Sequence, residues 1–167
     1  GQGHLVIGGC DTVDLADEFG TPVYILDEEA LRQKCRRFVQ EFQNRHLSTQ
    51  VVYASKAYIN PALARIFAEE GLGLDVVSGG ELAIAQSVDF PLDKVYFHGN
   101  NKTPQEMSEA VRNNIGWVVL DSFHELEMLD AIAGEARKTQ NVLIRVSPGI
   151  DPHTHAHTST GILDSKF

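Results

Sequence analysis

Residues 74–82, Leu74-Asp75-Val76-Val77-Ser78-Gly79-Gly80-Glu81-Leu82, combine a short apolar run, a polar turn and the start of a helix. The run is almost continuously apolar, as expected of a strand that is covered on both faces of a parallel sheet. Four more runs share this form, so strands are predicted over residues 51–54, 74–77, 95–98, 117–120 and 142–146. Successive strands begin 23, 21, 22 and 25 residues apart, which fits one strand, one helix and two loops.

Helices are predicted between these strands. Their N-terminal signals are proline at a first helical position, a threonine N-cap and a serine followed three residues later by glutamate. These signals are Pro61, Thr103-Pro104 and Ser122 with Glu125. Before the first strand, a polar helix is predicted over residues 28–43, and residues 22–26 are predicted to form a separate short strand.

Regular alternation of strand and helix indicates an α/β fold with a parallel sheet and right-handed crossovers. Two architectures remain open, a doubly wound sheet and part of a (β/α)8 barrel. A full barrel takes roughly 250 residues, and only about five strands fit in the 167 residues here. If the fold is a barrel, we expect an incomplete N-terminal part of one, because the sequence stops directly after an unclosed loop.

The composition excludes several classes of function. Lys and Arg number 14 against 23 Asp and Glu, which gives a net charge of −9 and no basic surface for nucleic acid or anionic lipid. Two cysteines cannot form a disulfide framework, so we expect a cytoplasmic protein. No apolar run is long enough for a membrane helix, and the first residues lack the pattern of a signal peptide.

Functional groups of βα folds collect at the carboxyl ends of the strands. Lys56 directly follows the first strand. If its amine is sheltered there, burial disfavours the ammonium form, and a neutral amine can form a Schiff base with a carbonyl. The alternative is a lysine whose head simply reaches water.

Three further charged residues each have a structural and a functional interpretation. Asp75 lies inside an apolar strand and needs a partner, and Glu81 lies in a first helical turn, where an anion is favoured. Arg145 is embedded in the last strand and must face an anion, a polar interior or an ion-pair partner such as Asp75.

A histidine cluster near the end of the sequence makes a metal site conceivable. His153, His155 and His157 would share one face of an extended segment, with Asp151 nearby. No further ligand completes a recognisable pattern, so a polar loop is favoured and no metal site is predicted.

Five ordered motifs together resemble diaminopimelate decarboxylases. They are Tyr53-Ala54-Ser55-Lys56-Ala57, the stretch 74–82 quoted above, Phe97-His98-Gly99-Asn100-Asn101-Lys102, Arg145-Val146-Ser147-Pro148-Gly149 and Thr160-Gly161-Ile162-Leu163-Asp164-Ser165-Lys166-Phe167. The resemblance covers essentially the whole sequence.

The resemblance implies a pyridoxal-phosphate enzyme with an alanine-racemase-type (β/α)8 barrel, followed by a β-domain, working as a homodimer. Residues 1–27 would join that β-domain, and residues 28–167 would be the first part of the barrel. Lys56 would carry the cofactor and act in catalysis. The other residues implied to contact the cofactor are Asp75, Glu81, His98 and Arg145.

The implied reaction is decarboxylation of meso-diaminopimelate to L-lysine and carbon dioxide, the last step of lysine biosynthesis. Groups that bind the phosphate and the pyridine nitrogen, and a C-terminal cysteine and tyrosine, would lie beyond Phe167, so we expect the piece alone to be inactive. Alternatives are a sister decarboxylase acting on carboxynorspermidine, ornithine or arginine, a non-catalytic relative, and a metal-dependent barrel hydrolase.

Overall fold

The computed structural model describes residues 3–46 and 48–149. The chain begins with an antiparallel pair of short strands, β1 (Val6–Ile7) and β2 (Cys10–Asp11). Two glycines with positive φ form the turn between them, as a tight hairpin requires. Helix α1 (Thr12–Phe19), which the sequence analysis did not predict, follows at once, because the Asp11 carboxylate accepts from the Val13 amide at 2.8 Å and caps it.

The predicted strand over residues 22–26 is wrong. These residues have no strand partner within the described part of the chain, and Tyr24 is 97% exposed. An apolar run becomes a strand only when another strand pairs with its backbone groups. Helix α2 (Glu28–Gln43) then begins after Asp27, whose carboxylate accepts from the Ala30 amide at 3.0 Å. Its bounds are those predicted.

The rest of the described chain alternates between strands and helices, and all five predicted parallel strands are confirmed within two residues at each end. In chain order the elements are β3 (Val52–Ala54), α3 (Pro61–Glu69), β4 (Gly73–Val76), α4 (Gly79–Gln86), β5 (Val95–Phe97), α5 (Pro104–Arg112), β6 (Trp117–Leu120), α6 (Phe123–Ala136) and β7 (Val142–Ile144).

The sheet order decides between the two architectures. The five strands are parallel and lie in the order β3-β4-β5-β6-β7, each beside the strand that precedes it in the chain. A doubly wound sheet reverses direction at a switch point, and this sheet does not. Successive helices also contact one another, from α2 through α6. The order is that of a (β/α)8 barrel, of which the described residues form five consecutive strands.

The two faces of the sheet differ in polarity. Val76, Phe97 and Val118 are in register and fully buried in the core shared with the helices. Asp75, next to Val76 and on the other face, is in register with Tyr96 and Trp117, and these three are half-buried. The apolar face packs against the helices. The partly polar face is the inner face of the barrel, and it carries the candidate functional groups.

Every helix in the described residues is too short or too polar to span a lipid bilayer.

Candidate active site

The predicted site residues lie at the carboxyl ends of the parallel strands. Lys56 lies in a single 3₁₀ turn, Ser55–Ala57, directly after β3. Asp75 lies in β4 and His98 directly follows β5. Glu81 lies in the first turn of α4, and Arg145 directly follows β7. Parallel strands bring their carboxyl ends to one edge of the sheet, so all five residues share that edge.

Two contacts of Tyr53 stabilise the turn that carries Lys56. The Tyr53 hydroxyl donates to the carbonyl of Tyr58 at 2.8 Å, which closes the turn, and the Tyr53 ring packs on Phe67 of α3 with centroids 4.2 Å apart. Ser55 is only 2% exposed, and its hydroxyl has no hydrogen-bond partner among the described residues. A fixed turn keeps the lysine at the mouth of the sheet.

The Lys56 side chain is exposed, so the described residues do not provide the shelter that the sequence analysis expected for its amine. The physical reason is the shape of a five-stranded sheet, which curves around its inner face without enclosing it. The position of Lys56 agrees with the prediction, whereas the burial argument for a neutral amine does not hold in this chain.

Asp75 finds its partner in His98. The Asp75 carboxylate lies 2.6 Å from Nδ1 of His98, and the two side chains are 23% and 36% exposed. The pairing follows from the register: Asp75 is level with Tyr96, and His98 lies two residues further along the chain, directly after β5 and on the same face. An ionised carboxylate can only accept, so Nδ1 carries the proton and Nε2 of a neutral ring is free to accept.

Arg145 does not pair with Asp75, as one interpretation of the sequence suggested. Its guanidinium Nη1 lies 3.6 Å from Oδ1 of Asp121, at the end of β6. Both carboxylate oxygens of Asp121 are buried and form no hydrogen bond with a described residue. Arg145 therefore offsets part of the negative charge at the carboxyl end of β6.

Glu81 stabilises the turn between β4 and α4. Its carboxylate accepts from the Val77 amide at 2.8 Å, and its own amide donates to the Ser78 hydroxyl at 3.3 Å. Both bonds stabilise the N-terminus of α4. A contact between Glu81 and a cofactor stays a prediction.

The turn before α6 repeats this arrangement. The Ser122 N-cap is confirmed, since its hydroxyl accepts from the Glu125 amide at 3.2 Å. The Glu125 carboxylate accepts from the Asp121 amide at 2.9 Å, one residue before the N-cap, so the predicted capping box is not formed. A complete capping box is found instead at Thr103 and Glu106.

The structure contains a buried ion pair, between the loop after β5 and helix α6, that was not predicted from the sequence. Lys102 Nζ lies 3.0 Å from Oε2 of Glu125, and the two side chains are 1% and 6% exposed. In the sequence, Lys102 stands out only as part of a motif and Glu125 only as part of a helix N-terminus. The available signal was weak: Lys102 and Glu125 follow the ends of two neighbouring predicted strands by four and five residues, which places both near the same edge of the sheet.

No group of three metal-binding side chains comes together within residues 3–46 and 48–149. His153, His155, His157 and Asp151 lie outside the described residues, so the interpretation of that cluster stays a prediction.

The chain is similar to several diaminopimelate decarboxylases. It is 48% identical over 166 residues to that of Bacillus methanolicus and 44% identical over 166 residues to that of Bacillus subtilis, with 99% of this chain covered in both. In each case the chain spans 38% of the relative's length.

Solved structures agree with this relationship. The diaminopimelate decarboxylase of "m. jannaschi" superposes with a TM-score of 0.86 at 37% identity, over all of this chain and 39% of its own. That of Helicobacter pylori, complexed with L-lysine, superposes with a TM-score of 0.76 at 27% identity, over 92% of this chain and 39% of its own. The barrel fold and five-stranded sheet seen here thus match an N-terminal part of these proteins.

A family model described as "Pyridoxal-dependent decarboxylase, pyridoxal binding domain" matches residues 28–167, which begin at the first residue of α2. The matched range includes every predicted site residue. The chain therefore belongs to the pyridoxal-dependent decarboxylase family.

Proposed function

We propose that this chain is the N-terminal part of an enzyme that decarboxylates meso-diaminopimelate to L-lysine and carbon dioxide, with pyridoxal phosphate as cofactor. The observation that carries the proposal is the position of Lys56, directly after β3 and on the same sheet edge as the Asp75–His98 pair. The identity of 44–48% to diaminopimelate decarboxylases supports this substrate over those of sister enzymes.

The described residues fit the aldehyde and ring portion of pyridoxal phosphate. Lys56 offers an exposed primary amine directly after β3, and Ser55 beside it has a buried hydroxyl without a partner among the described residues. The inner face also offers the flat rings of Tyr96 and Trp117, stacked within 10° of parallel. When bound, the cofactor supplies an electron-accepting ring that stabilises the charge left as carbon dioxide departs.

The roles of the side chains follow from their geometry. Lys56 holds the cofactor through its amine and stays in place because the turn after β3 is anchored by Tyr53. Asp75 fixes the ring orientation and tautomer of His98, so that Nε2 is the ring nitrogen left to accept a hydrogen bond. Arg145 contributes positive charge at the last strand of the described sheet.

We further propose, as parts of the same assignment, that residues 1–27 pack on a later β-domain and that the whole protein is a cytoplasmic homodimer. A cavity of about 790 Å³ between the N-terminal segment and α2 supports the first point. Its walls include the exposed apolar side chains of Phe19, Tyr24 and Leu26. The homodimer is tested by light scattering on the full-length protein, which should give twice the mass of one chain.

The experiment for the activity uses the full-length protein loaded with pyridoxal phosphate. Release of carbon dioxide is measured with meso-diaminopimelate, ornithine, arginine and carboxynorspermidine in parallel. We expect turnover of meso-diaminopimelate with L-lysine as the product, and borohydride reduction followed by peptide mass spectrometry should place the pyridoxyl group on Lys56. Faster turnover of another substrate would overturn the substrate assignment, and a label on a different lysine would overturn the role of Lys56.

The Lys56→Arg variant is the matched control. It keeps the positive charge, but its guanidinium cannot supply a neutral amine. We expect a loss of at least about 1,000-fold in kcat, which corresponds to about 4 kcal/mol in the activation barrier. The Lys56 side chain forms no hydrogen bond or ion pair with a described residue, so its replacement should leave the thermal unfolding temperature of the cofactor-free protein unchanged.

A further inference from the structure

Lys102 is a buried lysine whose ammonium group contacts three oxygen atoms, two through hydrogen bonds and one through an ion pair. Nζ donates to the carbonyl of Val119 at 2.8 Å and to the carbonyl of Gly99, and it pairs with Glu125 Oε2 at 3.0 Å. Two of the three ammonium donors thus bind backbone carbonyls, and the charge is paired with a carboxylate. The three oxygen atoms belong to the loop after β5, to β6 and to α6.

Burying two charges is costly, and a pair of apolar residues would stabilise a core at least as well. The contacts of Lys102 show what the charged pair provides instead. An apolar side chain could fill the same volume, but it could not hold two backbone carbonyls and a carboxylate in a defined arrangement. The charged pair therefore fixes the relative positions of these three groups at the carboxyl edge of the sheet.

The charged pair fixes the position of the His98 backbone. On its N-terminal side, the His98 amide donates to the carbonyl of Val76 at 2.8 Å, which continues the ladder between β4 and β5. On its C-terminal side, Gly99 has φ of 110°, and a Cβ there would lie 3.1 Å from the carbonyl oxygen of Val77. The Gly99 carbonyl is the acceptor for Lys102, so the backbone of His98 is held on both sides.

We propose that Lys102 is a positioning residue of the site, which acts through the Gly99 carbonyl to hold the His98 ring against Asp75. The effect of Lys102 on catalysis rests on the proposed function, whereas its effect on the position of the His98 ring does not. Without the bond to Gly99, the loop after β5 loses its anchor, and the 2.6 Å contact between Asp75 and His98 Nδ1 loses its fixed geometry.

The test compares two variants of the full-length protein. Lys102→Met with Glu125→Gln removes the donor to Gly99 and leaves no unpaired buried charge. Glu125→Gln alone is the matched control, because it keeps Lys102 and its bonds to the two carbonyls, and an amide oxygen can still accept from the Asp121 amide. The readout is the ¹⁵N spectrum of ring-labelled histidine, with the His98 signals assigned by their loss in His98→Gln.

In the wild type and in Glu125→Gln we expect one His98 tautomer, with the proton on Nδ1. In the double variant we expect mixed tautomers, and kcat reduced on the order of 10–100-fold, as for a displaced site residue. A folded double variant that keeps the single Nδ1–H tautomer would overturn the proposal and leave Lys102 a purely structural role.

If the double variant does not fold, Lys102→Arg supplies the same readout. It keeps the charge opposite Glu125, but its planar guanidinium cannot place donors on both carbonyls and the carboxylate as the ammonium does. A single Nδ1–H tautomer in that variant would also overturn the proposal. An inactive wild type with a normal His98 signal would instead contradict the proposed function alone.

Discussion

The carboxylate of Glu106, in the first turn of α5, accepts a hydrogen bond at 2.8 Å from the backbone amide of Gly79, the first residue of α4. It also accepts from the amide and hydroxyl of its own N-cap, Thr103, both at 2.9 Å. One side chain thus satisfies free amides at the beginnings of two neighbouring helices.

Replacing Glu106 should destabilise both helices. We expect Glu106→Ala to lower the free energy of unfolding by about 1–2 kcal/mol, because the Gly79 and Thr103 amides lose their acceptor. Glu106→Gln keeps one acceptor oxygen and should cost less. Chemical denaturation of the full-length protein measures both values, and equal losses in the two variants would show that charge rather than acceptor geometry matters.

The same residue gives a pH dependence of stability. The hydrogen bond from the Thr103 amide is the main cause that holds the pKa of the Glu106 carboxyl below its ordinary value of 4.5. The folded state therefore favours the ionised form, and its stabilising contribution is complete above pH 4.5. It should decline as the pH falls through the lower pKa of the folded state, and Glu106→Gln should show a weaker decline.

Asp75→Asn should impair the site while leaving the fold intact. An amide can present its NH2 group to Nδ1 of His98, which then favours the wrong tautomer. We expect kcat to fall on the order of 100-fold or more, by analogy with other enzymes in which an aspartate orients a histidine. The ¹⁵N spectrum of the His98 ring is the direct measurement, and an unchanged tautomer would contradict the assignment.

Gly116, just before β6, has no room for a side chain. A Cβ at this position would collide with the carbonyl oxygen of Asp93, which is backbone and cannot move aside. Gly116→Ala should therefore lower stability by about 1–3 kcal/mol. Gly134 in α6 is the matched control, because a Cβ there meets open space, and Gly134→Ala should raise stability by up to about 1 kcal/mol through helix propensity.

Glu70, at the C-terminal end of α3, holds α2 against the barrel. It accepts from Nε and Nη2 of Arg36, both at 2.8 Å, and from Nη1 of Arg32 at 3.0 Å. The Arg36 guanidinium is the main cause that lowers the pKa of the Glu70 carboxyl. We expect Glu70→Gln to lower stability by about 0.5–1 kcal/mol, less at high salt. Glu69→Gln should have a smaller effect, because among the described residues the Glu69 carboxylate pairs with Arg32 alone.

The parts of the fold that were predictable from sequence are those with local causes. Helix α2 has the predicted bounds because an aspartate cap and a helical periodicity define it within one segment. The five parallel strands were found because each is a short, almost continuously apolar run between turn and helix signals. The strand predicted over residues 22–26 failed because strand formation needs a partner, which a local pattern does not show.

The site was predictable in position but not in environment. Sequence motifs place Lys56, Asp75 and His98 at strand ends, and the structure shows them there. The 2.6 Å contact between Asp75 and His98 depends on the register of two strands, 23 residues apart in the chain, and no local pattern states a register. The exposure of Lys56 likewise depends on how far the sheet encloses its inner face.

The strand order also bears on how the chain acquires its fold. Because each parallel strand pairs with the strand just before it, every pairing closes a loop of only one βα unit. Such a sheet has fewer contacts between residues distant in the chain than a sheet whose neighbouring strands are far apart in sequence. Its contact order is therefore low for a parallel sheet. The units can therefore dock one after another in the order in which a ribosome releases them.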